Sequence, residues 1–370
     1  MKGSYLKGLN TMRFFAAFFV IISHGEISLN KLGDLRFANW AVFNRGGDAV
    51  EFFFTLSGFL ITYLLQKEIA RTSTVSIKDF YLRRVFRIWP LYFLIVGIGF
   101  LGLGVIFPRL TGQPFFEFPL VPGLLLFVFF LPNLAASLYP TALLHPLWSI
   151  GVEEQYYLFW APLVKKFRGS LILLIRVFLV LTVVWYALVY YRVVPFSETV
   201  RSFFISQKFY AMATGGLFGW IFYHRAEEYR NSFWARRGVQ YGVFLLLAAW
   251  YLVGIPGHPT VEDAFLHFFL SGLYGLLILN SALLEKPAVN LERQPFIYLG
   301  IISYGLYMYH MLVDYILRYT CIKLRLADRL GFNGLMPLYF ILLLGGSVLV
   351  SSLSYKYLES YFLRLKERYA

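Results

Sequence analysis

The sequence has 370 residues, of which 59% are hydrophobic and 15% charged, and its mean hydropathy is +0.63. Soluble domains are about 45–50% apolar and about 25% charged, so these values exclude a soluble globular protein and indicate a polytopic membrane protein. The formal charge of +14 does not indicate nucleic-acid binding, because the basic residues cluster at the ends of apolar runs, as the positive-inside rule describes. The single cysteine, Cys321, excludes an intramolecular disulfide and a cysteine-based metal site.

The first apolar run, residues 9–27, carries Arg13 near its start and His24 near its end. The interval between them amounts to about three helical turns and roughly 20°, so both side chains project from nearly one face, about 16 Å apart. Ionisable groups at membrane depth normally face a bundle interior or a water-filled cavity, so the pattern predicts a passage that both residues line. In the alternative, Arg13 snorkels to the headgroups and His24 caps the far end of the helix. Because no small-residue cleavage site follows, the run is predicted to be a retained span.

The second predicted span covers residues 49–66, and a third covers 88–107. Within the second span, the Ser57-Gly58 pair is small enough to let another backbone approach closely. The segment between the two spans, residues 67–87, is strongly basic and is predicted to be a cytoplasmic loop.

Three arginines, Arg83, Arg84 and Arg87, close this basic loop. Helical spacing places Arg83 and Arg87 on one face and lets Arg84 reach a face that it shares with Arg87. Three guanidinium groups at a cytoplasmic helix start suit a polyphosphate ligand, which they would hold through forked hydrogen bonds. In the simpler alternative, basic residues just inside a span act only as topology signals.

Residues 108–164 contain two apolar candidates, 120–136 and 148–164, and prolines or glutamates interrupt both. The basic loops and the basic tail lie on one side of the membrane only if this region contributes one net crossing. One candidate is then a re-entrant or interfacial segment, which is tolerated only beside protein or a water-filled cavity. The result is an all-α transmembrane bundle of about ten spans with both termini in the cytoplasm. The clearer spans beyond this region are 170–191, 203–223, 238–255, 263–284, 296–318 and 335–354.

Two further positions carry ionisable groups deep in apolar runs. Glu153 and Glu154 point about 100° apart on a helix, so the two carboxylates cannot both face one partner. One of them is predicted to pair with a buried cation or to act on the substrate, and the other to reach the interface. His310 is predicted either to line the same cavity as His24 or to form a hydrogen bond between helices. Further candidates for the cavity lining are Ser57, Trp148, Ser149, Glu154 and Tyr304.

Taken in chain order, these stretches resemble the acyltransferase-3 family of integral membrane acyltransferases. The signature of that family begins with an arginine and a histidine separated by ten residues in the first span. It continues with FFFxLSGFLIT, RRxxRIxP, WSLxVExxFY, an ISYxLYxxH-like stretch and a closing tyrosine–glutamate element. The matching residues are, in order, Arg13 and His24, 52–62, 83–90, 148–157, 302–310, and Tyr357 with Glu359. Ile150 replaces a leucine of the fourth motif, and Ser360 stands where a proline often follows the glutamate.

The resemblance implies transfer of an acyl group, usually acetyl, from cytoplasmic acetyl-CoA to a hydroxyl of a carbohydrate. The acceptor would be a surface polysaccharide, a lipopolysaccharide O-antigen or another glycan or glycolipid. His24 would be the catalytic residue, supported by Arg13 and Glu153, and the three arginines of the RRxxR motif would bind the donor. The resemblance further implies a multi-pass protein of a bacterial inner membrane, in contact with lipid. Residues 1–370 would form a single acyltransferase domain without a soluble C-terminal domain.

Other functions are compatible with the same residues. Transfer of another acyl group such as succinyl, or transfer to an amine, would require the same architecture. A non-catalytic transporter of glycans or lipids would use the same charged cavity, although the sequence shows no internal repeat of the kind found in secondary transporters. As a catalyst, His24 would act either as a general base or as a covalent acyl carrier, and the sequence favours neither. No metal cofactor is expected, because no metal-type histidine spacing occurs.

Overall fold

The computed structural model describes residues 6–32, 40–112, 115–253 and 263–369, and all regular structure in these ranges is helical. The first eight α-helices are α1 (Leu9–Asn30), α2 (Gly46–Thr72), α3 (Ile77–Gly97), α4 (Phe107–Thr111), α5 (Leu120–Val128), α6 (Pro132–Leu138), α7 (Leu147–Lys166) and α8 (Leu171–Tyr190). The others are α9 (Glu198–Ser206), α10 (Phe209–His224), α11 (Ala226–Arg230), α12 (Arg237–Leu252), α13 (Ala264–Leu283), α14 (Phe296–Ile301), α15 (Ser303–Lys323), α16 (Leu326–Ser354) and α17 (Ser360–Lys366). Two π-helical segments, Ile98–Ile106 and Tyr355–Glu359, connect α3 to α4 and α16 to α17.

Several helical segments in the described ranges are long and apolar enough to cross a membrane. They are Leu9–Asn30, Gly46–Thr72, Ile77–Thr111, Arg168–Tyr190, Ala264–Leu283 and Asn333–Lys366. In α8, the side chains of Leu173, Val180 and Leu181 are each at least 60% exposed, which suits contact with lipid. The prediction of an all-α, multi-pass membrane bundle is therefore confirmed. The count of ten spans, which would add α7, α10, α12 and α15, stays a prediction.

The structure distinguishes the two candidates within 108–164, apart from residues 113 and 114, which lie outside the described ranges. Residues 120–136 are divided between α5 and α6, which have nine and seven residues. The division falls at Pro132, which has no backbone N–H to continue a helix. Residues 148–164 lie within α7, whose 20 residues correspond to about 30 Å, the thickness of a hydrocarbon core. By length, α7 therefore fits the predicted span better than α5 and α6 do, and the crossing by α7 stays a prediction with the count of ten spans.

The predicted basic loop 67–87 is largely helical in the structure. Helix α2 extends to Thr72, and α3 begins after Ser76, whose side chain accepts a hydrogen bond from the backbone N–H of Asp79 at 3.4 Å. Lysine and arginine are good helix formers, so a basic run continues a helix as readily as it forms a loop. As a consequence, the three arginines lie about two to three turns inside α3 and not at its start.

Helices α2 and α10 pack backbone to backbone through glycines on both helices. A Cβ atom at Gly58 would lie 1.9 Å from the carbonyl oxygen of Met212, and one at Gly215 would lie 1.9 Å from that of Thr55. Any side chain larger than hydrogen would therefore push the two helices apart. The close approach predicted at the Ser57-Gly58 pair is confirmed.

A buried carboxylate ties the first turns of α2 to α10 and α13. Glu51 has no exposed surface, and it accepts hydrogen bonds from Lys208 Nζ at 2.9 Å and Ser271 Oγ at 2.7 Å. His267 Nδ1 lies 2.9 Å from the same carboxylate. Since an unpaired charge in the interior costs several kcal/mol, these partners are needed for Glu51 to be buried.

Candidate active site

A cavity of about 380 Å³ lies between α1, α2, α3, α7, α15 and α17. Its lining follows α2 from Val50 to Leu64, an interval of about 21 Å along the helix axis. Apolar side chains of α2 form much of the wall, and the other helices contribute most of the polar groups. We call this space the central cavity.

One end of the central cavity is cationic. Arg13, Arg84, Arg87 and Lys366 line it, and Glu153 is the only carboxylate among the described lining residues. None of these four cations forms an ion pair in the described ranges, in contrast to the paired arginines elsewhere in the protein. Unpaired positive charge in a partly desolvated cleft attracts anions. We call this region the basic end.

Arg83 and Arg84 are adjacent, but only Arg84 belongs to the basic end. Arg83 donates through Nη2 to Glu68 Oε2 and through Nη1 to the Tyr369 carbonyl oxygen, both at 2.7 Å. Arg84 lines the cavity, and its buried Nε has no hydrogen-bond partner among the described residues. The sequence grouped three arginines as a donor site, and the structure brings together two of them, Arg84 and Arg87.

Lys366 was not among the predicted site residues. The basic tail was interpreted only as a topology signal, whereas α17 folds against α3 and places Lys366 beside Arg84 and Arg87. No local motif marks this lysine, because its position depends on the path of the chain after α16.

Three polar side chains in contact with one another lie across the middle of the central cavity. The Tyr157 hydroxyl lies 2.7 Å from Glu153 Oε2, one turn earlier on α7, and it also contacts Ser57 Oγ on α2. Glu153 lies within electrostatic range of Arg13 and Arg84, which provide the counter-charge that burial of a carboxylate requires. Glu153 therefore takes the position that the sequence predicted for one of the two glutamates.

Glu154 and Trp148 lie outside the cavity lining, although both were candidates for it. Glu154 is turned toward the indole of Trp89 on α3, as expected from the 100° between adjacent helical residues. Trp148 packs edge-on against Phe54, with ring centroids 5.9 Å apart. Trp148 therefore contacts the wall of the cavity from behind, since Phe54 lines the cavity.

The other end of the central cavity, which we call the inner end, is closed by Tyr307 and Phe53. The Tyr307 hydroxyl donates to the Pro146 carbonyl oxygen at 2.9 Å and lies 2.7 Å from Ser149 Oγ. Its ring meets Phe53 edge-on, with centroids 6.0 Å apart. Tyr304, one turn nearer the basic end, donates to a backbone carbonyl of α3 at 2.8 Å. The candidates Ser149 and Tyr304 thus line the cavity and also join α15 to its neighbours.

His24 and His310 meet just beyond the inner end, and we call them the histidine pair. His24 Nδ1 lies 2.8 Å from His310 Nε2, and the rings stack with centroids 5.0 Å apart. His310 is fully buried, and its Nδ1 lies 2.7 Å from the carbonyl oxygen of Tyr307. His310 was predicted either to line the cavity or to form a hydrogen bond between helices. It forms such a bond with His24, and it also lies next to Tyr307, which lines the cavity.

The passage that Arg13 and His24 were predicted to share is present only in part. Both residues lie on α1, but the central cavity includes Arg13 and ends before His24. Tyr307, which lines the cavity, packs against His310 with ring centroids 5.9 Å apart and so lies between the cavity and the histidine pair. Helical spacing places two residues on one stripe, but side chains of other helices determine whether the space beside that stripe is open.

These features define a helical membrane protein with a site suited to group transfer. The basic end can hold a polyanionic carrier, and a neutral imidazole near the other end can accept a proton from a hydroxyl. Among the described residues, no group of three or more His, Cys, Asp or Glu side chains is placed to hold a metal ion.

Comparison with known proteins gives the family. The family Acyl_transf_3, described as an acyltransferase domain, matches residues 6–356, and the chain therefore belongs to it. This confirms the resemblance drawn from the motifs. No solved structure matches the chain.

Three relatives illustrate the match. ORF330 of Acidianus two-tailed virus, a presumed acetyltransferase, is 24% identical over 88% of this chain and 89% of its own length. The peptidoglycan O-acetyltransferase OatA of Listeria monocytogenes is 25% identical over 83% of this chain, and the O-acetyltransferase OatA of Staphylococcus aureus is 30% identical over 44% of it. The chain spans 49% and 25%, respectively, of the lengths of these two OatA proteins.

Proposed function

We propose that this protein transfers an acetyl group from acetyl-CoA to a hydroxyl group of a carbohydrate, with His24 at the reacting centre. The central cavity is the main support, since it begins among unpaired cations and ends at the tyrosine that adjoins the histidine pair. This arrangement suits a donor with a polyanionic head and a distant reactive group. Acetyl-CoA has that form, and the acyltransferase family supports an acyl donor.

The donor binds with its phosphates at the basic end and its thioester toward the inner end. Arg84 and Arg87 offer forked N–H donors to phosphate oxygens, and Lys366 offers a compact charge. The pantetheine arm is roughly 15–20 Å long, which is comparable to the about 21 Å that the cavity covers along α2. Arg13 adds positive charge at the basic end, and Glu153 faces the middle of the arm, where its two amide groups need hydrogen-bond partners.

The thioester reaches His24 when the side chains of Tyr307 and Phe53 separate. In direct transfer, His24 accepts the proton of the sugar hydroxyl while the oxygen attacks the thioester carbonyl carbon. The carbon–sulfur bond then breaks, and the CoA thiolate takes up the proton from the imidazolium. In covalent transfer, the imidazole nitrogen attacks the thioester carbonyl carbon, and the carbon–sulfur bond breaks to release the CoA thiolate. The sugar hydroxyl then attacks the acetyl-imidazolium, the carbon–nitrogen bond breaks, and the hydroxyl proton goes to the thiolate.

The acceptor approaches from the end of the bundle opposite the basic end. Excess Lys and Arg mark the cytoplasmic side of a membrane protein, so the basic end faces the cytoplasm, where acetyl-CoA is made. The histidine pair then lies toward the outer leaflet of the inner membrane. The name of the Listeria relative, a peptidoglycan O-acetyltransferase, supports a cell-surface glycan as the acceptor.

The test uses the purified chain in lipid nanodiscs with acetyl-CoA, succinyl-CoA in parallel, and peptidoglycan fragments or surface polysaccharide as acceptors. We expect release of free CoA together with the mass increase of one acetyl group per modified hydroxyl. His24→Ala should abolish both signals, whereas His224→Ala, an exposed histidine at the end of α10, should retain them. Wild-type turnover by His24→Ala would refute the role of His24. Movement of unmodified glycan without release of CoA would instead identify a transporter.

A further inference from the structure

The contacts of His310 determine which of its ring nitrogens carries a proton. Its Nδ1 lies 2.7 Å from the carbonyl oxygen of Tyr307. A carbonyl oxygen only accepts hydrogen bonds, so the Nδ1 atom of His310 must be the donor. In a neutral imidazole the other nitrogen, Nε2, then has a free lone pair and acts as an acceptor.

This proton arrangement extends to His24. The Nδ1 atom of His24 lies 2.8 Å from His310 Nε2. Since His310 Nε2 is an acceptor, His24 Nδ1 must be the hydrogen-bond donor. The lone pair of a neutral His24 is then on Nε2, for which the described residues provide no hydrogen-bond partner. A backbone carbonyl of α15 thus sets the tautomer of a residue on α1.

We propose that His310 is a positioning residue that holds His24 as its Nδ1–H tautomer, so that His24 Nε2 is the atom that takes the hydroxyl proton or the acetyl group. This inference rests on the proposed function of His24. A residue that orients an imidazole through its other nitrogen is a general device of acid–base sites, because it fixes both the ring direction and the position of the lone pair.

The opposite tautomer of His24 would require a second proton on His310. Its Nε2 would then have to donate, and the fully buried ring would carry a positive charge. The nearest acid along α15, Asp314, is already bonded to Ser28 Oγ at 2.5 Å and to the Tyr339 hydroxyl at 2.7 Å. With this acid engaged, burial favours the neutral ring and the first tautomer.

Contacts on both sides keep the histidine pair in register. One turn beyond the pair, the bond between Ser28 and Asp314 again joins α1 to α15. On the cavity side, Tyr307 is fixed to the start of α7 through the Pro146 carbonyl oxygen. Rotation or sliding of either helix would break these bonds together, so the ring of His24 keeps one orientation.

Substitution of His310 should therefore change the state of His24. His310→Leu removes the acceptor, so the His24 ring can rotate and divide between both tautomers. Loss of a partner that orients a metal-bound imidazole typically costs about 10- to 100-fold in activity, and we expect a loss of that order here. The loss should be in kcat and not in the KM for acetyl-CoA, whose phosphates bind at the other end. His310→Gln retains an acceptor oxygen at a similar reach and should restore most of kcat.

The direct measurement is solid-state nitrogen-15 NMR of the histidine-labelled chain in nanodiscs, with the His24 signals assigned from His24→Ala. We expect a protonated Nδ1 and an unprotonated Nε2 in the wild type and in His310→Gln, and a mixture in His310→Leu. The control His224→Leu should leave the His24 signals unchanged, and thermal unfolding should verify that each variant is folded.

A protonated Nε2 in wild-type His24, or His24 signals that His310→Leu does not alter, would overturn the positioning role even if His24→Ala is inactive. Full turnover by His24→Ala would overturn the proposed function, whatever tautomer the spectrum shows. The two failures are therefore distinguishable, because the spectrum reports the tautomer without any turnover.

Discussion

Arg83 and Arg84 offer a matched pair of substitutions that separates donor binding from helix packing. The two arginines are adjacent on α3, yet only Arg84 lines the central cavity. We expect Arg84→Gln to weaken acetyl-CoA binding and to lower stability less than Arg83→Gln does, because Arg13 still provides counter-charge for Glu153. Arg83→Gln should lower the stability and leave the Kd for acetyl-CoA unchanged.

The expected rise in Kd for Arg84→Gln follows from the hydrogen bond that acetyl-CoA loses. A hydrogen bond to a charged group contributes about 1.5–3 kcal/mol, and about 1.4 kcal/mol corresponds to tenfold in affinity. The Kd for acetyl-CoA should therefore rise roughly 10- to 150-fold. Because the Nε atom of Arg84 has no hydrogen-bond partner in the described ranges, the substitution removes no bond from that atom within the protein.

The expected loss of stability in Arg83→Gln follows from the ion pair that Arg83 forms. The pair with Glu68 has an N–O distance of 2.7 Å, and the two side chains are 17% and 9% exposed. Removing one partner of a fully buried pair costs about 3–5 kcal/mol, and partial exposure reduces this to about 1–3 kcal/mol. Glu68 also keeps its bond from the Ser76 backbone N–H at 2.7 Å, which limits the loss.

Isothermal titration calorimetry with acetyl-CoA and thermal unfolding would measure both effects on the same nanodisc samples. The effect of Arg84→Gln on Kd should shrink at higher ionic strength, because dissolved ions screen the attraction between the basic end and the phosphates of the approaching donor. An unchanged Kd in Arg84→Gln, or equal changes in Kd for both variants, would refute the assignment of the basic end as the donor site.

Three further changes test the packing and the donor site. Gly58→Val should prevent stable folding, since a Cβ atom there would lie 1.9 Å from a carbonyl oxygen of α10, whereas Gly47→Ala has no atom within 4 Å of its Cβ and should keep the wild-type melting temperature. Glu51→Ala leaves the Lys208 ammonium group buried without its partner, so the free energy of unfolding should fall by about 3–5 kcal/mol. Adding Lys208→Met should restore part of this loss, and no recovery in the double variant would contradict the explanation. Lys366→Gln should raise the Kd for acetyl-CoA about two- to fivefold by calorimetry, the equivalent of up to about 1 kcal/mol for a partly exposed pair, and a wild-type Kd would remove it from the donor site.

Hydropathy predicts the spans of this protein well where a helix crosses only the apolar layer. The predicted spans 170–191 and 263–284 differ by one residue at each end from α8 (Leu171–Tyr190) and α13 (Ala264–Leu283). The same signal fails at 67–87, where helices continue beyond the apolar layer. Hydropathy indicates whether a segment lies in the apolar layer, so it does not identify a helix surrounded by water and headgroups.

The candidate site could be predicted where one helix carries its residues. Arg84 and Arg87, one turn apart on α3, are an example. Lys366 and the contact between His24 and His310 could not be predicted, because they depend on how helices far apart in the sequence pack together. The two histidines are 286 positions apart, and no spacing rule relates residues at that separation.

The last described residues have a practical consequence for labelling. The ring of Tyr369 stacks on Phe86 with centroids 5.7 Å apart, and its carbonyl oxygen accepts a hydrogen bond from Arg83. A fluorescent protein or affinity tag fused after this tyrosine would therefore emerge beside Arg83 and Arg84, and it would obstruct the entrance that we propose for the donor. A small dye attached at the exposed Asn231, which does not line the cavity, would leave that entrance open.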